Sequence, residues 1–191
     1  MTGVQTCALP IYERSLTDGL ASDIEEMDKI IGQFLDFAKG ESEARLEADL
    51  ALLADEICEH YARLGRPLVY EAFASVWLRF AQTAVRRAIS NLVDNALRYS
   101  GAPVEIELRR DRGDAVLEVR DRGPGIPEGE SERMKRPFTR LEQARSGSGG
   151  SGLGLAIVDR VARMHGGTLQ LLPRPGGGLI ARLVLPLRAE S

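Results

Sequence analysis

Between Gly147 and Val158 the chain reads Gly-Ser-Gly-Gly-Ser-Gly-Leu-Gly-Leu-Ala-Ile-Val, a glycine-dense loop running without a break into an amphipathic helix. Glycine lacks a Cβ, so successive backbone N–H groups can close on an oxyanion. The helix start adds further N–H groups and the positive end of its dipole. A nucleotide phosphate needs that combination. Gly/Ser runs also serve as plain linkers and turns, so on this stretch alone both readings stand.

The rest of the composition narrows the class. With 191 residues, 43% hydrophobic and 28% charged, the chain suits one ordinary domain plus a small appendage, with enough apolar material for a core. A net charge of −3 and the lack of a long basic block argue against a nucleic-acid partner. The apolar runs fall short of the roughly 18–20 residues a membrane span requires. Cys7 and Cys58 have no metal-type spacing and read as reduced thiols of a cytoplasmic protein. Met1–Ile11 is a poor signal peptide and reads as an adapter-derived, non-native leader, so the native chain is expected to continue upstream.

Leu20, Ile24, Met27, Ile31, Phe34 and Ala38 form a narrow heptad seam, which suits either an amphipathic surface helix or a helix that pairs with another chain. Residues 41–48 are polar and read as a linker. From Asp49 the pattern becomes that of a compact α/β domain. Helices are expected over Ala51–Leu64, stopped by Gly65 and Pro67, over Phe80–Tyr99, and over Leu153–His165, stopped by Gly166-Gly167. A strand fits Pro67–Phe73. One hairpin fits Val104–Arg109 with Ala115–Arg120, and another fits Thr168–Leu172 with Leu179–Leu187. Hairpins that must be covered by helices predict a two-layer α/β sandwich, with a mixed, mostly antiparallel sheet and helices on one face.

Three further segments carry polar chemistry. Asn91, Asn95 and Arg98 share one helix face, while Leu92, Val93 and Ala96 face the core. An amide oxygen suits Mg²⁺ and a guanidinium suits phosphate, although a solvated polar face would look the same. Asp121-Arg-Gly123-Pro-Gly125-Ile-Pro127 follows a strand; its carboxylate can accept from an exocyclic amine, or the segment is a turn. Phe138 can hinge a lid or fill the core, and Arg140 can reach phosphate.

In order and spacing these segments resemble the ATP-binding domain of sensor histidine kinases, and more narrowly the osmosensing subclass of two-component kinases. That domain belongs to the superfamily of gyrase B, Hsp90 and MutL, built on the Bergerat fold. Asn91–Tyr99 is similar to the N box, Asp121–Pro127 to the G1 box, Pro137–Arg140 to the F box and Gly150–Leu155 to the G2 box. The resemblance implies that residues 12–40 are the second helix of a dimeric bundle and that 49–188 are the ATP-binding catalytic domain. It implies Mg²⁺ on Asn95, with Asn91, Arg98 and Tyr99 lining the phosphate and ribose side. Asp121 would take the adenine amine, with Gly123, Gly125 and Ile126 beneath the ring. Phe138 and Arg140 would anchor an ATP lid over about Glu142–Ser151. Gly150, Ser151, Gly152 and Gly154 would lie against the phosphates, with Leu153 and Leu155 fixing the helix start. The implied partners are ATP, a second copy of the chain and a cognate response regulator. Full-length members of the family are usually membrane-anchored.

ATPases of this superfamily place a Glu at the first N-box position as general base; Asn91 cannot accept a proton, which favours a phosphoryl-transferring kinase. The family's phosphoacceptor histidine sits beside an acidic residue in the first bundle helix. Neither His60 nor His165 lies in such a motif, so no residue of this chain is expected to accept the phosphoryl group. Arg122, Met134-Lys135 and Ser151 depart from the family pattern. The remaining alternatives are an ATPase of the gyrase and Hsp90 type, or a nucleotide-binding dimerisation module without kinase activity.

Overall fold

A computed structural model describes residues 32, 43–66, 68–71, 74–141 and 151–187. The leader, Cys7 and all six residues of the heptad seam lie outside the described residues. In chain order the elements are β1 (Leu46–Asp49), α1 (Leu50–Arg63), β2 (Leu68–Val69), β3 (Trp77–Phe80), α2 (Gln82–Tyr99), β4 (Val104–Asp111), β5 (Asp114–Arg120), α3 (Ser131–Met134), α4 (Gly154–Met164), β6 (Thr168–Pro173) and β7 (Leu179–Pro186).

Five strands form the main sheet in the order β2-β4-β5-β7-β6, parallel at β2–β4 and antiparallel elsewhere; β1 and β3 pair antiparallel as a separate ribbon. The register explains why helices cover one face. Ile106, Leu108, Leu117, Val119, Leu183, Leu169 and Leu171 alternate onto a single buried apolar side, against which α2 and α4 pack. Glu105, Glu107, Arg109, Glu118, Arg120 and Arg182 occupy the opposite side. This is the two-layer sandwich of mixed, mostly antiparallel sheet that the hairpin pattern predicts.

The differences are local. Leu46–Ala48, expected within a polar linker, form strand β1 together with Asp49, pairing Leu46 with Phe80 and Asp49 with Trp77. Phe80, expected as the first residue of a helix, ends β3 and is fully buried. Within Pro67–Phe73 only Leu68–Val69 is a strand. Both helix stops fall at the expected glycines: Gly65 and Arg66 donate to Ala62 and Tyr61, and Gly166 and Gly167 donate to Arg163 and Ala162, the bond pair of a Schellman end.

Helix α2 begins after Ala81, whose side chain cannot cap it, so its first N–H groups are satisfied from elsewhere. The Ala81 N–H donates to His165 Nε2 at 3.0 Å, and the N–H groups of Thr83 and Ala84 donate to Glu43 Oε1 and Oε2 at 2.8 and 3.1 Å. The Glu43 carboxylate also suits the positive end of the helix dipole. The Arg45 guanidinium donates to the Met164 carbonyl at the far end of α4. On its outer side α2 is held by Tyr61 of α1, whose hydroxyl donates to Asp94 at 2.8 Å, which fixes the rotation of the helix.

His165 has both ring nitrogens engaged. Nδ1 donates to the Val161 carbonyl at 2.7 Å, leaving Nε2 as the acceptor for Ala81, which requires the neutral ring. Burial pushes its pKa below 6.5; the Val161 carbonyl opposes that shift, Arg45 adds to it and Glu43 opposes it. A depressed histidine means that the unfolded chain takes up a proton the folded chain refuses. Stability is therefore expected to fall as the pH drops below about 6.5. Thermal unfolding of the parent and of His165→Gln checks this: the variant loses that acid slope, and an identical slope in both excludes His165 as its source.

Candidate functional site

The polar face of α2 meets the start of α4. Asn91 Nδ2 donates to the Arg87 carbonyl at 2.9 Å, which turns Oδ1 outward. A Cβ built on Gly154 would stand 3.4 Å from that oxygen, so the amide lies directly against the first residue of α4. The N-terminus of α4 has no side-chain cap, because Leu153 occupies the cap position. Asn95, one turn further along α2, is half-buried, while Arg98 and Tyr99 are exposed at its end. There the Tyr99 carbonyl faces Gly123, where a Cβ would stand at 2.7 Å.

Asp121 follows β5 and is 5% exposed. Its Oδ1 accepts the N–H groups of Gly123 at 2.7 Å and Leu179 at 3.3 Å; Oδ2 carries neither bond. Burial pushes its pKa up, partly offset by those two N–H donors and by the nearby Arg174 guanidinium. Gly125 lies under Gly178, and Ile126 is half-buried beside it.

The third contact joins Phe138 to the glycine run. Phe138 has φ +62° and its side chain is 63% exposed, which excludes it from the core. Its N–H donates to the Gly152 carbonyl at 3.0 Å. Gly152 has φ +70°, and a Cβ there would lie 2.9 Å from the Phe138 carbonyl carbon, so two left-handed residues meet where only one can carry a side chain. The Ser151 hydroxyl accepts the Leu153 N–H at 3.3 Å; Leu153 and Leu155 are buried and anchor the helix start. Arg140 is half-buried two residues past Phe138. Gly150 and residues 142–149 of the expected lid lie outside the described residues.

Four stretches far apart in sequence thus come together in pairs: Asn91 with Gly154, Tyr99 with Gly123, and Phe138 with Gly152. The β6–β7 turn joins them through Arg174 and Gly178, which the sequence presents only as turn residues, and through Leu179, which it presents only as the start of a strand. The one signal in sequence is the Pro-Gly-Gly-Gly run ending at Gly178, and a partner 57 residues upstream cannot be read from it.

A family model described as histidine kinase-, DNA gyrase B- and HSP90-like ATPase matches residues 81–189. The chain belongs to that family. Sensor protein CutS of Streptomyces coelicolor is 45% identical over 107 residues, covering 54% of this chain and 26% of CutS. Sensor histidine kinase CpxA of Escherichia coli is 30% identical over 181 residues, covering 90% of this chain and 40% of CpxA. Among solved structures, the histidine kinase domain of the E. coli osmosensor EnvZ is 30% identical with a TM-score of 0.60, covering 80% of this chain and 95% of that one. Within the family, then, the chain is similar to the ATP-binding domains of sensor histidine kinases. It spans between about a quarter and two fifths of the length of these curated relatives.

Proposed function

We propose that this chain binds ATP with Mg²⁺ as the catalytic domain of a sensor histidine kinase and delivers the γ-phosphoryl group to a histidine in a two-component system. The observation that carries this reading is Asp121: a buried carboxylate whose Oδ1 is filled by two backbone N–H groups and whose Oδ2 is left for an exocyclic amine. Gly123 and Gly125 keep side chains off the surface beside it, leaving room for a flat base. Phosphates would run from there along the polar face of α2 to the uncapped start of α4, with Arg98 and Arg140 at the margins.

Among the described residues no group of three His, Cys, Asp or Glu side chains could hold a metal ion. Mg²⁺ commonly takes one or two protein oxygens and completes its shell with substrate phosphates and water. Asn95 would supply the protein oxygen, and the ion would neutralise charge on the transferring phosphoryl group. Asn91 cannot act as a base toward water; its oxygen, held against Gly154, sets the spacing between α2 and the phosphate end of α4. Transfer of this kind rests on positioning and charge stabilisation.

His165 is 8% exposed with both ring nitrogens bonded, so it is not presented as an acceptor; His60 is exposed, with its ring edge-on to Tyr61, and is set aside only because no acceptor motif surrounds it. A homodimer through residues 12–40 and a cognate response regulator complete the proposed assembly. Among the described residues no helix is long and apolar enough to cross a membrane.

Calorimetry with a non-hydrolysable ATP analogue tests the proposal. Binding is expected, weaker without Mg²⁺ and in Asn95→Ala, where the Mg²⁺ dependence itself should disappear. No binding under any condition overturns the reading. An acid-labile phosphohistidine forming on this chain would overturn the assignment of its two histidines.

A further inference from the structure

The β6–β7 turn is built around one buried guanidinium. The Arg174 side chain is 8% exposed and reaches in two directions: Nη2 pairs with Glu105 Oε1 at 2.6 Å, and Nη1 donates to the Asp121 carbonyl at 3.3 Å. Its backbone closes the turn, with the Arg174 N–H donating to Gly178 at 3.1 Å and its carbonyl accepting from Gly177 at 3.0 Å. From the other side Arg122 donates to the Pro175 carbonyl at 3.0 Å. Gly178 has φ +109°, and a Cβ there would stand 2.0 Å from the Asp121 carbonyl oxygen, so only glycine lets the turn lie on Asp121. The next residue, Leu179, is the one whose N–H holds Asp121 Oδ1.

We infer that Arg174 is a positioning residue for base recognition, fixing Asp121 through its carbonyl and through the turn so that Oδ2 points at an exocyclic amine. The inference rests on the proposed role of Asp121 in holding adenine. Nothing in the β6–β7 turn needs to touch the nucleotide for this. The Glu105–Arg174 pair holds the turn, the turn holds Leu179, and Leu179 with Gly123 fixes which carboxylate oxygen is free. Arg174 also keeps a positive charge near a carboxylate that burial would otherwise push toward the neutral form, and its bond to Glu105 holds that carboxyl below its usual range. Removing the guanidinium releases the carboxylate to rotate or protonate. Either change costs the interaction with the amine and leaves the phosphate side untouched.

The test compares ADP with inosine diphosphate, which carries a carbonyl in place of the amine, by calorimetry on the parent chain, Arg174→Met, Arg174→Lys and Glu105→Gln. The parent is expected to prefer ADP by about tenfold or more, the worth of one hydrogen bond to a charged group. Arg174→Met should weaken ADP while leaving inosine diphosphate within about twofold, bringing the ratio close to one. Glu105→Gln should move the ratio part of the way, and Arg174→Lys should restore part of it. A merely structural role would weaken both nucleotides alike, and that result overturns the inference. So does an unchanged ratio in Arg174→Met and Glu105→Gln with melting curves that show folded protein. If the parent itself shows no preference for ADP, the role given to Asp121 fails first, and the inference falls with it.

Discussion

Asp121→Asn is expected to lower the affinity for ADP by about 10- to 150-fold and to leave inosine diphosphate as the better ligand. The Oδ1 position accepts two backbone N–H groups, from Gly123 and Leu179, so in asparagine the carbonyl oxygen must take that position. The amide nitrogen then occupies the place of Oδ2 and presents hydrogens to the base. Against an amine, donor meets donor; against a carbonyl, the pair is satisfied. Asp121→Ala loses affinity for both bases without the inversion, because nothing remains to discriminate. Calorimetry with the two nucleotides reads the difference directly, and an Asp121→Asn chain that still prefers ADP would sink the assignment of Oδ2. Because burial raises the Asp121 pKa above 3.8, acidification should erode the parent's preference for ADP in the same sense as the amide does.

Glu118→Gln should cost about 2–3 kcal/mol of stability, roughly 5–10 °C in melting temperature for a domain of this size. Glu118 is 1% exposed on the charged face of the sheet and gathers three guanidiniums: Arg120 Nε at 2.8 Å, Arg109 at 3.0 Å and Arg182 at 2.7 Å. Arg120 also pairs with Glu107. Neutralising the carboxylate leaves three like charges crowded around an uncharged centre, which is the expensive way to break a buried ion cluster. Burial alone would raise the Glu118 pKa, but the hydrogen bonds from Arg120, Arg109 and Arg182 override it and hold the group at about 2. A folded-state pKa below the unfolded value of 4.5 means the contribution is complete above pH 4.5 and is lost as the pH falls toward 2. Unfolding free energies of the parent and Glu118→Gln should therefore converge in acid and stand apart near neutrality. A constant gap across that range would show that packing, not charge, holds Glu118 in place.

The elements that sequence pattern reveals are those whose signals are local. Helix α2 shows its buried stripe at Val85, Ile89, Leu92, Val93 and Ala96; β4 and β5 alternate; and α1 and α4 end where glycines permit. Strands β1 and β3 are hidden for a physical reason. Leu46-Glu-Ala-Asp49 has little strand propensity of its own and becomes one through its partner, Trp77–Phe80, which lies well downstream and runs almost directly into a helix. The site divides the same way. Asn91, Asn95 and Asp121 are legible because helix spacing puts the two amides on one face and a strand end carries the carboxylate, and the family resemblance then supplies the roles expected of them. Arg174 and Gly178 are not, since what gives them meaning is an approach to Asp121 from the turn that leads into the neighbouring strand β7. Phe138 is the reverse case: its sequence suits a core residue, while its left-handed backbone and bond to Gly152 place it outside.

The caps on α2 bear on where the domain can be cut. The family match opens at Ala81, the residue whose N–H is held by His165, and the next helix N–H groups, those of Thr83 and Ala84, are held by the carboxylate of Glu43, far upstream of that boundary. A chimera joined at residue 81 would inherit every motif segment yet leave the helix bearing Asn91 and Asn95 with frayed first turns and without the β1–β3 ribbon. The smallest portable unit therefore begins ahead of Glu43, and anyone grafting this nucleotide site onto another scaffold must carry that short acidic approach along with it.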